Sequence, residues 1–137
     1  MKIKLFLSTY FRSIVIFILI LLASTIPASE VQKVSWISIP NFDKIIHLGM
    51  YFCFTMVLIL DISKAKFNFS QIKISLLSAF IALSYGGILE IVQGSLTKSR
   101  SADIFDFIFN VSGTLLAMLL WFVIREYKSS AKRKPIE

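Results

Sequence analysis

The stretch YGGILEIVQGSLTKSRSADIFDFIFN, residues 85–110, decides how this chain folds. It reads as the end of one apolar helix, a short polar turn around Arg100 and the start of a second apolar helix. Gly86, Glu90 and Gln93 interrupt the first run, and Asp103, Asp106 and Asn110 enter the second. Carboxylates and amides are costly where lipid is the solvent, so each needs a partner or a purpose. The stretch therefore locates a candidate site more sharply than it describes what the site does.

Composition outside the stretch supports a membrane setting. The chain has 137 residues, enough for one domain, yet 56% are hydrophobic and 13 are Phe, with a mean hydropathy of +0.77. A soluble domain of this size has no interior able to hide that much apolar surface, so the bilayer is the natural solvent. The formal charge of +7 does not indicate nucleic acid. Its Lys and Arg residues sit in short runs between apolar segments, the pattern that membrane topology produces. Cys53 lies in an apolar segment with no second cysteine to pair with, and reads as a small packing residue.

Residues 1–12 are basic, and Ser13 to Ile26 is an apolar run of 14 residues. That is short of the roughly 20 needed to cross a bilayer, unless Leu5 to Phe11 joins it with Arg12 snorkelling. A basic start, an apolar stretch and small residues at Ala23, Ser24, Ala28 and Ser29 also imitate a signal peptide; a retained first helix is the expectation. Pro27 and Pro40 bound a loop whose Trp36 suits the membrane interface. A second helix is predicted from Asn41–Asp43 to about Leu60, with Asp43 favoured by the helix dipole. Asp61 to Lys73 reads as a basic connector, Ile74 to Val92 as a third span, Gly94 to Ala102 as a polar loop and Ile104 to Ile124 as a fourth span. Arg125 to Glu137 is expected to be a mobile basic tail near anionic headgroups. The expected fold is all-α: a single-domain, polytopic bundle of four transmembrane helices.

Orientation follows from counting cations. The N-terminal segment, the connector and the tail hold 3, 3 and 5 Lys or Arg, and the loops with Lys33, Lys44, Lys98 and Arg100 hold 4. Positive residues favour the cytoplasm, so an N-in, C-in topology is predicted, with the polar loops outside.

Four alternating spans bring the start of the second helix, the end of the third and the start of the fourth to one leaflet. At 100° per residue, Asp43, His47 and Tyr51 fall within about 80°, and Gly86, Glu90 and Gln93 within about 60°. Asp103, Asp106, Asn110 and Gly113 fall within about 80°, with Ala117 continuing their stripe. Polar stripes facing lipid would lack hydrogen-bond partners, so they are expected to face one another around an outer-leaflet pocket. Half of the chain's 8 acidic residues gather there, opposed by Lys44 and Arg100. That balance suits a cation, an amine or a sugar-bearing head group better than a bare phosphate.

Each residue also has an ordinary structural role. Asp43 and Asp103 suit helix N-caps, His47 a hydrogen-bonded core histidine, and Arg100 a structural ion pair with Asp103 or Asp106. Trp36, Tyr51 and Tyr85 suit interface aromatics. Gln93 and Asn110 suit interhelical hydrogen bonds worth around 1 kcal/mol each. Convergence favours a site, because helix packing needs one or two polar contacts rather than so many at one depth.

The pattern Asp43-Lys44-x-x-His47 with Tyr51-Phe52, then Glu90-x-x-Gln93, then Arg100 with Asp103-x-x-Asp106-x-x-x-Asn110-x-x-Gly113 resembles the VanZ-like family of small bacterial membrane proteins. The resemblance runs from about Pro40 to Ala117. It implies a four-helix protein of the bacterial cytoplasmic membrane, forming one domain over residues 1–137. The family's namesake is associated with resistance to the lipoglycopeptide teicoplanin, a phenotype that fold likeness alone does not transfer.

The leading expectation is a pocket for the head group of a cell-envelope lipid or peptidoglycan precursor, with Asp43, Lys44, His47, Tyr51, Glu90, Gln93, Arg100, Asp103, Asp106 and Asn110 as contacts. An enzymatic alternative is hydrolysis or group transfer on a lipid-linked substrate. There Asp43, His47, Glu90, Asp103 and Asp106 would hold a divalent metal, or Glu90, His47 and Asp106 would do acid–base work. The chain has no HExxH motif, nucleophile elbow or Walker loop, so that alternative rests on the constellation alone. A proton-coupled transporter is the third reading, opposed by the clustering of acids at one leaflet.

Overall fold

The computed structural model describes residues 2–25, 42–65, 68–96 and 104–133. These residues form α1 (Lys2–Thr25), α2 (Phe42–Lys64), α3 (Gln71–Leu96) and α4 (Ile104–Arg133), with no strand among them. All four helices are long and apolar enough to cross a membrane, in agreement with the predicted bundle.

Besides α3, which runs Gln71–Leu96 instead of Ile74 to Val92, the boundaries differ from expectation in three places. Arg12 does not interrupt α1, which takes in Leu5 to Phe11 as one helix. Second, α2 continues through Asp61 to Lys64 instead of stopping near Leu60. Its last turn carries Lys64, which complements the helix dipole. Third, α4 runs on to Arg133, so Arg125 to Arg133 is a helical extension rather than an irregular tail. Good helix formers fill that stretch, and the Arg125 guanidinium stands 5.6 Å from the Trp121 ring centroid.

At the start of α3, Ser70 acts as N-cap. Its Oγ accepts a hydrogen bond from the Lys73 amide at 3.3 Å, occupying one of the orphan donors of the first turn. Within α3, Ser75 and Ser78 donate their hydroxyls to the carbonyls of Gln71 and Ile74, at 2.9 and 2.8 Å. Both side chains are thereby satisfied inside an apolar bundle.

α2 is the centre of the packing and touches each of the other helices. Its closest neighbour is α4, which runs parallel to it. A Cβ at Gly113 would overlap the carbonyl oxygen of Leu48 and stand 3.0 Å from the Phe52 nitrogen. Only glycine lets the two backbones meet here. Two turns deeper than His47, Thr55 donates to Thr114 across the same seam at 3.2 Å, both fully buried. On the α2–α3 side, Gly86 lies against the Tyr51 ring, whose nearest atoms are 2.9 Å from a Cβ built there.

Two apolar clusters fill the bundle. Ile20, Tyr51, Phe54, Leu58, Ala82 and Leu89 form one, and Ile59, Ile62, Ile74 and Trp121 form the other. Phe17 stacks on Tyr85 with centroids 4.0 Å apart, and Tyr85 donates its hydroxyl to the Phe17 carbonyl at 2.9 Å. These contacts set α1 parallel to α3, so the start of α1 and the end of α4 share one end of the bundle. Around the outside, Phe80, Ile91, Phe105 and Leu119 are exposed, a belt suited to lipid and unsuited to water. Cys53 belongs to that outward surface. Its expected packing role is therefore corrected: it is exposed, on a face of α2 turned away from the buried Tyr51.

Candidate ligand site at one end of the bundle

His47 lies in the second turn of α2, Glu90 near the end of α3 and Asp106 in the first turn of α4. Their imidazole and carboxylate ligand atoms all lie within 4.8 Å of one another. The three stripes read from the sequence thus converge at the bundle end opposite the start of α1. His47 and Glu90 are each 8% exposed, so the cluster is enclosed by helices rather than spread on a surface.

The imidazole is held from behind. His47 Nδ1 is 3.1 Å from Asn110 Oδ1, and Asn110 is 1% exposed. With Nδ1 held on the Asn110 side, Nε2 is turned toward the acids. Nε2 lies 3.8 Å from Asp106 Oδ2. On its other side Asp106 Oδ1 is 3.9 Å from Lys44 Nζ, and that ammonium is also 3.6 Å from Asp43 Oδ2. Asp106 sits in the first turn of α4, where the positive end of the helix dipole favours negative charge.

Two carboxylates at such a distance repel by about 3 to 4 kcal/mol at an effective dielectric of 20. Lys44, 3.9 Å from Asp106 Oδ1, offsets part of this. Among the described residues, His47, Glu90 and Asp106 form a group able to hold a metal ion, one ligand atom each.

The other expected site residues fall in different places. Tyr51 is one turn deeper than His47, 2% exposed, and forms the floor against Gly86. Asp43 is at the rim, its side chain 47% exposed. Gln93 turns toward α1, donating its amide to the Ser24 carbonyl at 2.9 Å, so this contact ties α1 to α3. Arg100 and Asp103 lie outside the described residues, as does Trp36.

One buried polar group escaped the reading of the sequence altogether. Asp61, assigned there to a connector, has a side chain that is 0% exposed. Its Oδ1 accepts from Arg12 Nε at 3.1 Å and from Arg12 Nη2. Its Oδ2 accepts from the Ser13 amide at 3.2 Å and the Ser13 hydroxyl at 2.8 Å. Fourteen residues separate Asp61 from His47, about 21 Å along the helix, so the bundle carries a polar centre toward each end of the span. The signal was available: Arg12 and Asp61 each interrupt or end an apolar run at the same predicted leaflet, and opposite charges there are expected to pair.

No curated protein and no solved structure matches the chain. A family model described as VanZ/LLP1 matches residues 4–125, so the match takes in α1 as well as the motif-bearing helices. With four helices able to cross a membrane and this match over most of its length, the chain belongs to the VanZ/LLP1 family and is a VanZ-like membrane protein.

Proposed function

We propose that the cluster of Lys44, His47, Glu90, Asp106 and Asn110 binds the polar head group of a cell-envelope lipid or peptidoglycan precursor. The observation that supports this reading is the mixture of groups at one enclosed place. An ammonium, an imidazole, two carboxylates and an amide meet there from three helices. Such a set offers both donors and acceptors at short range, which suits a head group bearing hydroxyls or amines. The apolar belt around the bundle would leave the rest of the lipid in its ordinary solvent. A link to glycopeptide resistance would follow from capture of an envelope precursor or of a lipoglycopeptide, and it is part of the proposal only in that sense.

Native mass spectrometry of the protein extracted with its lipids tests the reading. Wild type is expected to retain a preferred lipid species. Glu90→Gln and Asp106→Asn, which keep side-chain shape, are expected to lower its occupancy by about tenfold, the loss of one charge-assisted hydrogen bond of roughly 1.5 kcal/mol. Unchanged lipid retention in folded variants would sink the proposal.

The same reading places the site in the outer leaflet of a bacterial cytoplasmic membrane. Cysteines introduced at Ser35 and Ser99 in a Cys53→Ala background are expected to react with an impermeant thiol reagent in intact cells. Protection of both would invert the topology and move the site to the cytoplasmic side.

A further inference from the structure

The geometry points to a divalent-cation site at His47, Glu90 and Asp106, holding a first-row transition ion through one imidazole nitrogen and two carboxylate oxygens. This inference rests on the reading of the same cluster as a ligand site, and it names the ion that the cluster's own donors would take.

The spacing of the donors is the first support. Two ligands sharing an ion at about 2.1 Å stand roughly 3.0 to 4.2 Å apart, depending on the angle between them. His47 Nε2 and Asp106 Oδ2 are 3.8 Å apart, inside that range. The widest separation in the cluster is within 4.8 Å, so closing on an ion takes relative side-chain shifts of roughly 0.5 to 1.5 Å. Glu90 has three side-chain torsions with which to make them.

The imidazole supplies a second and separate support. His47 Nδ1 stands 3.1 Å from Asn110 Oδ1, which turns Nε2 toward the two acids. Nε2 faces Asp106 Oδ2 from 3.8 Å, a separation that one shared ion would span. Fixing one ring nitrogen by a buried acceptor so that the other faces a metal is the usual orienting arrangement for histidine ligands. Asn110 is thus a positioning residue here, and His47, Glu90 and Asp106 are the ligands.

The donor set narrows the ion. One nitrogen and two carboxylate oxygens suit Zn²⁺, Mn²⁺ or Fe²⁺ better than Ca²⁺, which prefers six or more oxygens. Lys44, 3.9 Å from the other Asp106 oxygen, would be pushed by a bound dication toward Asp43, where it already stands 3.6 Å away.

The test uses the full chain in detergent, treated with chelator and titrated with Zn²⁺ or Mn²⁺ in the absence of added lipid. Calorimetry and elemental analysis after dialysis read the affinity and the stoichiometry. One equivalent is expected in wild type. His47→Ala and the isosteric Glu90→Gln are expected to weaken binding by at least about a hundredfold, and Asn110→Ala by ten- to a hundredfold. Asp43→Asn, at the rim, should stay within about threefold of wild type. Thermal unfolding of each variant without metal identifies those that remain folded. Substoichiometric binding by wild type, or unchanged affinity in folded His47→Ala and Glu90→Gln, overturns the inference. Lipid retention measured on the same chelated sample separates the two readings: a preferred lipid retained by protein that fails to take up one equivalent of metal leaves the head-group proposal standing and the metal site refuted.

Discussion

Replacing Arg12 with methionine is expected to lower the stability of the bundle by about 3 to 5 kcal/mol, the cost of leaving a buried carboxylate without its counter-charge. Asp61 is fully enclosed and takes hydrogen bonds from two Arg12 nitrogens and from the amide and hydroxyl of Ser13. Without the guanidinium only the Ser13 contacts remain. The effect should be asymmetric. Arg12 keeps 45% of its side chain exposed, so in Asp61→Leu it can swing toward the interface and lose less. The double variant Arg12→Met with Asp61→Leu is expected to regain most of the loss, because a buried ion pair replaced by apolar groups of similar size is often close to neutral. Unfolding by SDS or heat in mild detergent measures all three. If Arg12→Met melts with wild type, or if the double variant is no better than the single one, the pair does not anchor α1 as argued.

Gly113→Ala is expected to cost about 1 to 3 kcal/mol, and Gly113→Val enough to prevent α2 and α4 from docking. The added Cβ would overlap the Leu48 carbonyl oxygen, and backbone cannot rotate away as a side chain can. Two other glycines calibrate the expectation. At Gly86 the obstacle is the Tyr51 ring, a side chain able to yield, so Gly86→Ala should cost less than Gly113→Ala. At Gly49 nothing lies within 4 Å, and alanine there should stabilise by up to about 1 kcal/mol through helix propensity. The order Gly113, Gly86, Gly49 is the prediction, read by unfolding in detergent. Gly113→Ala should also reach the site, since Leu48 adjoins His47 and Gly113 lies one turn from Asn110. Separating α2 from α4 lengthens the 3.1 Å contact between His47 and Asn110, so whatever ligand the cluster holds should bind more weakly.

These two seams show why parts of the protein were open to reading and parts were not. The membrane class and the four helices follow from apolar runs broken by polar turns, a property of each segment by itself. The convergence of His47, Glu90 and Asp106 was also legible. Each lies on a polar stripe with helical spacing, and alternating helices have only one way to bring those three helix ends together. The VanZ-like motif lay along the same residues, and the family match extends over them.

Other features depended on which helix faces which, and segmental reading carries no such information. Asp61 looked like the start of a connector because an acid after an apolar run ordinarily marks the water boundary. Its burial depends on Arg12, 49 residues earlier. Gln93 shares a stripe with Glu90, yet its amide reaches α1 and bonds Ser24 instead of turning into the cluster. Cys53 looked like core because it is small and apolar, but alternate faces of α2 serve the bundle and the lipid, and it falls on the second.

The sequence by itself determined the apolar setting, the four helices long and apolar enough to cross a membrane and one of the two bundle ends at which polar groups collect, because each is set by local hydropathy and helical period. Only the tertiary structure decided that Lys44, His47, Glu90, Asp106 and Asn110 share one centre, that Asn110 orients His47, and that Arg12 and Asp61 close a second polar centre about 21 Å away. The physical reason is the same throughout. In a bilayer an apolar face is content against lipid or against another helix, so hydropathy alone does not choose between them. The choice falls to the close approach at Gly113 and to polar groups that lipid cannot satisfy.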